Sequence, residues 1–222
     1  MILINAVYFY GEWKSQFDPS LTRKLPFFNL GNEKINVDTM TQITEFKYYE
    51  DKKCQAIQLD FLSDYMSAII ILPSEGTDIN KFINSLAISS EEYNKIIDGF
   101  NYAKVHLQLP IFELEFKENL NEVLKDLGMY NAFNLEDGDF IGLKEGGEIF
   151  INSANHKIYL KVFEEGCEAV GITDLENEGA SEIPDEEKIY DMKVNRPFLF
   201  LLKNSQLPKA HNLIFMSKIE KL

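Results

Sequence analysis

Alternating apolar and polar positions dominate this chain, and they predict more strand than helix. Ile2 to Phe9 is an apolar run followed by turn signals at Gly11 and Asp18-Pro19. Phe27-Phe28, a turn at Gly31-Asn32, and strands around Ala56 to Phe61 and Met66 to Leu72 continue a meander through residue 75. Spacing then becomes helical. Thr77 or Asp78 is placed to cap a short helix over Ile79, Phe82, Ile83 and Leu86, and Ser89-Ser90-Glu91-Glu92 opens a second over Tyr93, Ile96 and Ile97, ended by Gly99. Alternation returns at Val105, Leu107 and Leu109, before a helix predicted from Lys117 to Leu127 and stopped by Gly128. Ile149 to Phe163 alternates again at Ile158, Leu160 and Val162. The last two apolar runs, Phe198 to Leu202 and Leu213 to Met216, are separated by a turn at Asn204-Ser205 and read as a buried antiparallel hairpin. No repeat and no composition break divides the chain, so one α+β domain over residues 1–222 is expected.

Between the last two groups of strands lies an acidic, proline-interrupted stretch, Glu164 to Asp191, in which Lys188 is the one basic residue. Loops beyond about 12–15 residues without structure of their own are uncommon in compact domains and are usually functional or disordered. This one begins with a strand-like alternation. Cys167, Ala169, Gly171 and Thr173 fall on one face, all small, while Glu168, Val170, Ile172 and Asp174 fall on the other. The small face can slide beneath a packed layer at little steric cost, so the segment suits either a loop or a strand. An ordinary solvated linker, held extended by its own charge, is the bland alternative.

Composition narrows the function classes. At 222 residues and 45% hydrophobic content the chain can bury a core. Its longest apolar runs fall far short of the roughly 18 residues of a membrane span, so no membrane partner is expected. A formal charge of −14 disfavours nucleic acid, whose affinity rests on Lys and Arg releasing counterions. Cys54 and Cys167 have neither the number nor the spacing of a disulfide scaffold or zinc site and read as free thiols. His106, His156 and His211 form no HExxH motif, and neither a G-x-S-x-G elbow nor a phosphate-binding glycine loop occurs. The expectation is therefore no enzyme, no metal and no cofactor. The N-terminus carries no signal-peptide pattern.

Asn5-Ala6-Val7-Tyr8-Phe9-Tyr10-Gly11-Glu12-Trp13, Phe17-Asp18-Pro19, Thr39-Met40, Phe46-Lys47-Tyr48 and Met66 to Pro73 resemble, in order and spacing, segments of the serpin superfamily. Leu109-Pro110-Ile111-Phe112, Leu127-Gly128-Met129, Ala132-Phe133, Asp139 to Gly142, His156-Lys157, Arg196 to Phe200 and Ile214-Phe215-Met216 extend the resemblance through the second half.

The resemblance implies a serpin fold of mixed sheets with an exposed reactive-centre loop over residues 164–191. It also implies that roughly the first two fifths of that fold, the early helices and first two strands of the large sheet, are absent from this sequence. Glu164, Glu165, Gly166, Cys167, Glu168, Ala169, Val170, Gly171, Ile172 and Thr173 correspond to the hinge, Asn5 and His156 to the shutter, and Trp13 to the breach where insertion starts. The partner of His156 in the family lies on a helix in the absent region. The implied activity is that of a suicide substrate: a target serine protease cuts the loop, and the loop inserts as a strand and traps the acyl-enzyme. A strand of about 14 residues spans roughly 45 Å, enough to carry an attached enzyme across a domain. Counting from the hinge puts the reactive bond at Ala180-Ser181, suited to an elastase-like protease, with a cysteine protease as an alternative target. Counting back from Arg196-Pro197-Phe198 reaches Glu186, and the hinge count is preferred because insertion fixes distance from that end. Cys167 stands where inhibitory members carry Thr or Ser, and Val170 and Ile172 replace small outward residues. A non-inhibitory carrier, chaperone or inert product is the competing reading. The missing strands would leave a sheet edge open to self-association. The family implies a secreted, extracellular protein first, with the cytoplasm as the alternative.

Overall fold

The computed structural model describes residues 1–31, 33–88, 90–134, 140, 149–168 and 188–222. In chain order the strands among them are β1 (Ile2–Tyr8), β2 (Gly11–Glu12), β3 (Arg23–Phe28), β4 (Lys34–Glu50), β5 (Cys54–Asp60), β6 (Met66–Pro73), β7 (Asn101–Pro110), β8 (Phe112–Asn119), β9 (Ser153–Val162), β10 (Gly166–Glu168), β11 (Tyr190–Lys193), β12 (Phe198–Asn204) and β13 (Leu213–Ile219). The helices are α1 (Ile79–Ile88), α2 (Ser90–Asp98) and α3 (Asn121–Asp126). The chain divides into two compact units, one of residues 1–9 and 113–161, the other of residues 10–112 and 162–222.

The larger unit is built on a sheet of order β11-β7-β4-β5-β6-β12-β13, with β3 paired to β4. In its interior lies β6, where every position from Met66 to Pro73 is buried, as a continuous apolar run covered on both faces requires. Side-chain period two sorts the core into two layers. Ile69, Ile71, Leu199 and Leu201 join Cys54, Ala56, Phe82 and Ile96 in one buried cluster against α1 and α2. On the opposite face Phe112 meets Phe198 and Phe200 edge-on at 5.5 Å. β4 holds the sheet together by pairing in turn with β3, β7 and β5 along its 17 residues. The predicted hairpin of β12 and β13 forms, but only β12 is buried throughout its apolar run; Ile214 and Met216 face outward from the edge strand β13.

Helix starts follow local chemistry. Asp78 caps α1 by accepting the N–H groups of Asn80 and Lys81. Asp51, in the turn between β4 and β5, accepts the N–H groups of Lys53 and Cys54 on one oxygen, and the Tyr49 hydroxyl and Lys95 ammonium on the other. Burial raises its pKa, but those four donors outweigh burial and hold it well below the usual carboxylate range. A depressed pKa contributes stability above the unfolded-state value and loses it as pH falls through the folded-state value. Asp51→Asn is therefore expected to cost about 1–2 kcal/mol at neutral pH, after discounting for solvent screening, read as a lowered urea midpoint at unchanged slope. The deficit should shrink as the pH is taken down into the acid range.

The smaller unit places β1 beside β9 in a parallel pairing of seven positions, Ile2 opposite Ser153 through Tyr8 opposite Tyr159, with β8 also paired to β9. The predicted helix from Lys117 is shorter than expected. Residues 117–119 complete β8, and Asn119 accepts the Asn121 N–H to start α3 two residues later. Gly128 ends it as expected, at φ +97°, a left-handed conformation favouring glycine. Much apolar surface stays open in this unit, with Ile2 and Ile4 62% and 67% exposed and Leu127 76%.

Candidate functional site

Gly166 lets two backbones meet where a side chain would part them. β10 pairs antiparallel with β2, Gly166 opposite Glu12 and Cys167 opposite Gly11. A Cβ on Gly166 would overlap the Gly11 carbonyl oxygen and stand 2.8 Å from the Glu12 Cα. Glycine inside a strand often marks such an approach.

The turn feeding β10 is as closely held. Phe163 and Gly166 exchange N–H to C=O hydrogen bonds of 2.9 and 3.2 Å, so Glu164-Glu165 forms a two-residue reversal. The outer side of that reversal is gripped by residues 13–22. Trp13 N–H donates to the Glu165 carbonyl at 2.8 Å, Phe17 N–H to the Glu164 carbonyl at 3.0 Å, and the Thr22 hydroxyl to Glu164 Oε1 at 2.6 Å. Trp13 Nε1 donates to the Phe163 carbonyl at 2.9 Å, while its ring stacks on Phe61 at 4.5 Å and 15°. Both rings are 1% exposed. The contribution of Phe17, Thr22 and Phe61 was missed at the sequence level, since nothing local to them indicates a partner that lies some 140 residues away for Phe17 and Thr22 and 48 for Phe61.

Cys167 is fully buried, and burial pushes its thiol well above its ordinary pKa. Cys54 is pushed up to about 12, chiefly by burial and then by the nearby Asp51 carboxylate. Both cysteines are free, as expected, and both are protonated and unreactive in this conformation. The inward orientation expected for Cys167 is the one found. Ala169, Val170, Gly171, Ile172 and Thr173, together with Ala180 and Ser181, lie outside the described residues, and the Glu168 side chain is likewise not described.

Asn5 and His156 stand opposite each other in the β1–β9 register. Asn5 is exposed, and the buried Nδ1 of His156 has no hydrogen-bond partner among the described residues. The structure thus brings the two together within one unit, and groups Trp13 with Glu164, Glu165, Gly166 and Cys167 in the other. From residue 188 the described chain continues. β11 pairs parallel with β7 over four positions, Asp191 Oδ1 lies 2.8 Å from His106 Nδ1, and Gln55 Nε2 donates to the Asp191 carbonyl. His106 Nε2 is 3.2 Å from the Thr41 hydroxyl, so the histidine bridges three neighbouring strands.

Comparison with known proteins agrees with this arrangement. The Serpin (serine protease inhibitor) family model matches residues 1–222. The chain is 32% identical to antithrombin-III of Mus musculus over 222 residues, 99% of this chain and 46% of the relative. It is 31% identical to leukocyte elastase inhibitor of Homo sapiens over 212 residues, 92% of this chain and 55% of the relative. The structure of a serpin from the trematode Schistosoma haematobium superposes with a TM-score of 0.80 at 26% identity, covering 98% of this chain and 55% of that one. The chain therefore spans about half the length of the relatives it matches, and its relatives are inhibitors by name and family, not hydrolases. With a family match along every residue and an α+β fold shared with solved members, this chain belongs to the serpin family.

Proposed function

We propose that residues 1–222 form part of one serpin domain whose loop is bait for a serine protease, with inhibition following from strand insertion. The observation that carries this reading is β10, two of whose three residues are already paired antiparallel with β2, in the orientation an inserted strand would take. Continuing that register without a bulge sets residues 169–176 opposite Phe9 to Ile2, with Thr173 against Asn5. Insertion would part β1 from β9 and replace one parallel ladder by two antiparallel ones, the more stable pairing per residue. In this reading Trp13 and its partners hold the first turn of the strand in place, and Asn5 and His156 lie at the seam that opens. The small inward face of Cys167, Ala169, Gly171 and Thr173 passes beneath the core without steric cost.

An uncut loop is held at both ends, by β10 on one side and β11 on the other, so it cannot lengthen the strand until a bond breaks or β11 detaches. Cleavage supplies that freedom. The reactive bond is placed at Ala180-Ser181, which fits an enzyme with a small primary pocket, elastase-like in preference, and the setting is placed outside the cell. Serpin loop insertion is itself a standard example of strand addition and of stored strain released by proteolysis.

Incubation with elastase-like, chymotrypsin-like and cysteine proteases, followed by denaturing electrophoresis, tests the proposal. A covalent band resistant to SDS, at the summed mass of protease and cleaved chain, is the expected result. Loop cleavage by every active protease, with no such band, would make the chain a substrate and remove the inhibitor assignment.

A further inference from the structure

The face of the large sheet that packs against α1 and α2 turns polar at one end. Side-chain period two carries the row of Leu199 and Leu201, both in the buried cluster, on to Lys203. Lys203 stands opposite Ser67 of β6, and Ser67 opposite Asp60 of β5. A depression of about 330 Å³ opens there, past the end of α2, with Met66, Ile97 and Phe100 as its apolar wall. Among the described residues every charge lining it has a partner except one. Lys47 Nζ lies 3.6 Å from Asp60 Oδ2, while Gln58 Nε2 donates to Oδ1, and Asp64 is paired with Lys14 at 3.6 Å. Just outside, Lys209 Nζ donates to both oxygens of Asp98 at 2.9 and 2.8 Å. The half-buried Lys203 ammonium makes no hydrogen bond or ion pair among the described residues. Burial lowers its pKa and the Lys47 charge lowers it further, with Asp98 opposing and Lys209 adding to the effect. Desolvation and a neighbouring cation are the two conditions that turn a lysine into a nucleophile at neutral pH.

We propose that Lys203 is a covalent capture site for a small, uncharged aromatic aldehyde, which enters the depression and condenses with the side-chain amine to an imine. The other charges of the depression are already paired, so nothing there recruits an ionic ligand, while the wall of Met66, Ile97 and Phe100 suits a single ring. The ammonium first sheds a proton to solvent. The neutral amine then adds to the carbonyl carbon, and the carbonyl oxygen takes up a proton as its π bond breaks. The carbinolamine loses water as the nitrogen lone pair closes the C=N bond, leaving an imine with no oxidant or reductant consumed. A lysine whose charge is already disfavoured by its surroundings gives up that charge more readily than one in open solvent, and this sets Lys203 apart from the exposed lysines of the chain.

The test treats the full chain with limiting benzaldehyde and cyanoborohydride, which reduces each imine to a stable benzylamine, and ranks the lysines by peptide mass mapping. At neutral pH Lys203 should be modified about tenfold faster than the median lysine. The lead should narrow as the pH approaches about 10.4, where ordinary lysines also lose their protons. Lys47→Met removes the neighbouring cation and frees Asp60 to pair with Lys203, so it should slow modification of Lys203 about threefold at neutral pH. In urea the lead should vanish. Formaldehyde, which has no ring for the apolar wall to hold, should show a smaller lead than benzaldehyde. Lys203 modified no faster than the median lysine would overturn the proposal. So would a lead that persists in urea, one that Lys47→Met leaves unchanged, or one equal for the two aldehydes.

Discussion

A single cut between residues 177 and 187 is expected to make the chain more resistant to heat, not less. Most nicks in a folded protein leave stability unchanged or lower it, so the sign alone is informative. In the proposed insertion the freed segment would add a ladder on each side for residues 169–176, in exchange for the present β1–β9 ladder. With net gains of about 0.5–1.5 kcal/mol per backbone hydrogen bond, the balance is about 5–10 kcal/mol in favour of insertion. For a chain of this size that corresponds to a rise in unfolding midpoint of roughly 10–40 °C. Differential scanning calorimetry before and after limited proteolysis reads it directly. Two controls separate insertion from incidental effects. A cut engineered near residue 206, in the connection between β12 and β13, should bring no rise. Thr173→Arg, which sets a charge on the inward face, should abolish the rise while leaving the loop equally easy to cut. An unchanged or lowered midpoint after loop cleavage would end the insertion mechanism for this chain.

The sequence was most informative where pattern and topology coincide. β6 is a continuous apolar run because it is central, and Asp78, Gly99 and Gly128 mark helix ends by mechanisms that act within a few residues. The alternation after Glu164 pointed to a segment with one small face, and of that face the described residue, Cys167, is buried. Errors arose where a short-range preference competed with a distant partner. Residues 117–119 have helix-forming composition, yet they complete a strand paired to β9, because edge-to-edge hydrogen bonding outweighs intrinsic propensity. The grip on Glu164 by Phe17 and Thr22 left no local trace, since a threonine hydroxyl that meets a carboxylate across 142 positions looks like any surface threonine. Likewise β4 carries three pairings along one strand, which no periodicity of its own distinguishes from a shorter strand and a loop.

Gly166→Ala should release the hinge. The added Cβ has no direction to yield in, because the atoms it meets are backbone: the Gly11 carbonyl and the Glu12 Cα, themselves fixed by the Leu62 N–H on the Glu12 carbonyl. Flexible side chains could relax by a rotamer change, but here the only relaxation is separation of β10 from β2. That separation strands few groups, since the pairing covers only two positions, so the fold as a whole should survive with its core sheet intact. What changes is Cys167. Docked, it is fully buried and protonated; released, it returns to an ordinary thiol in solvent. If docking is worth about 3 kcal/mol, as a few net hydrogen bonds and one buried small side chain suggest, the labelling rate of Cys167 by a neutral thiol reagent should rise about 100-fold in the variant. Cys54, buried in the core between α1, α2 and the sheet, is the internal control and should stay protected in both proteins. Equal labelling of Cys167 in wild type and variant would mean that the hinge is already free in solution. Protection retained in the variant would mean that β10 is held by the grip on Glu164 and Glu165 alone. A 100-fold release, with Cys54 silent, would show that a missing methyl group is what keeps β10 on β2.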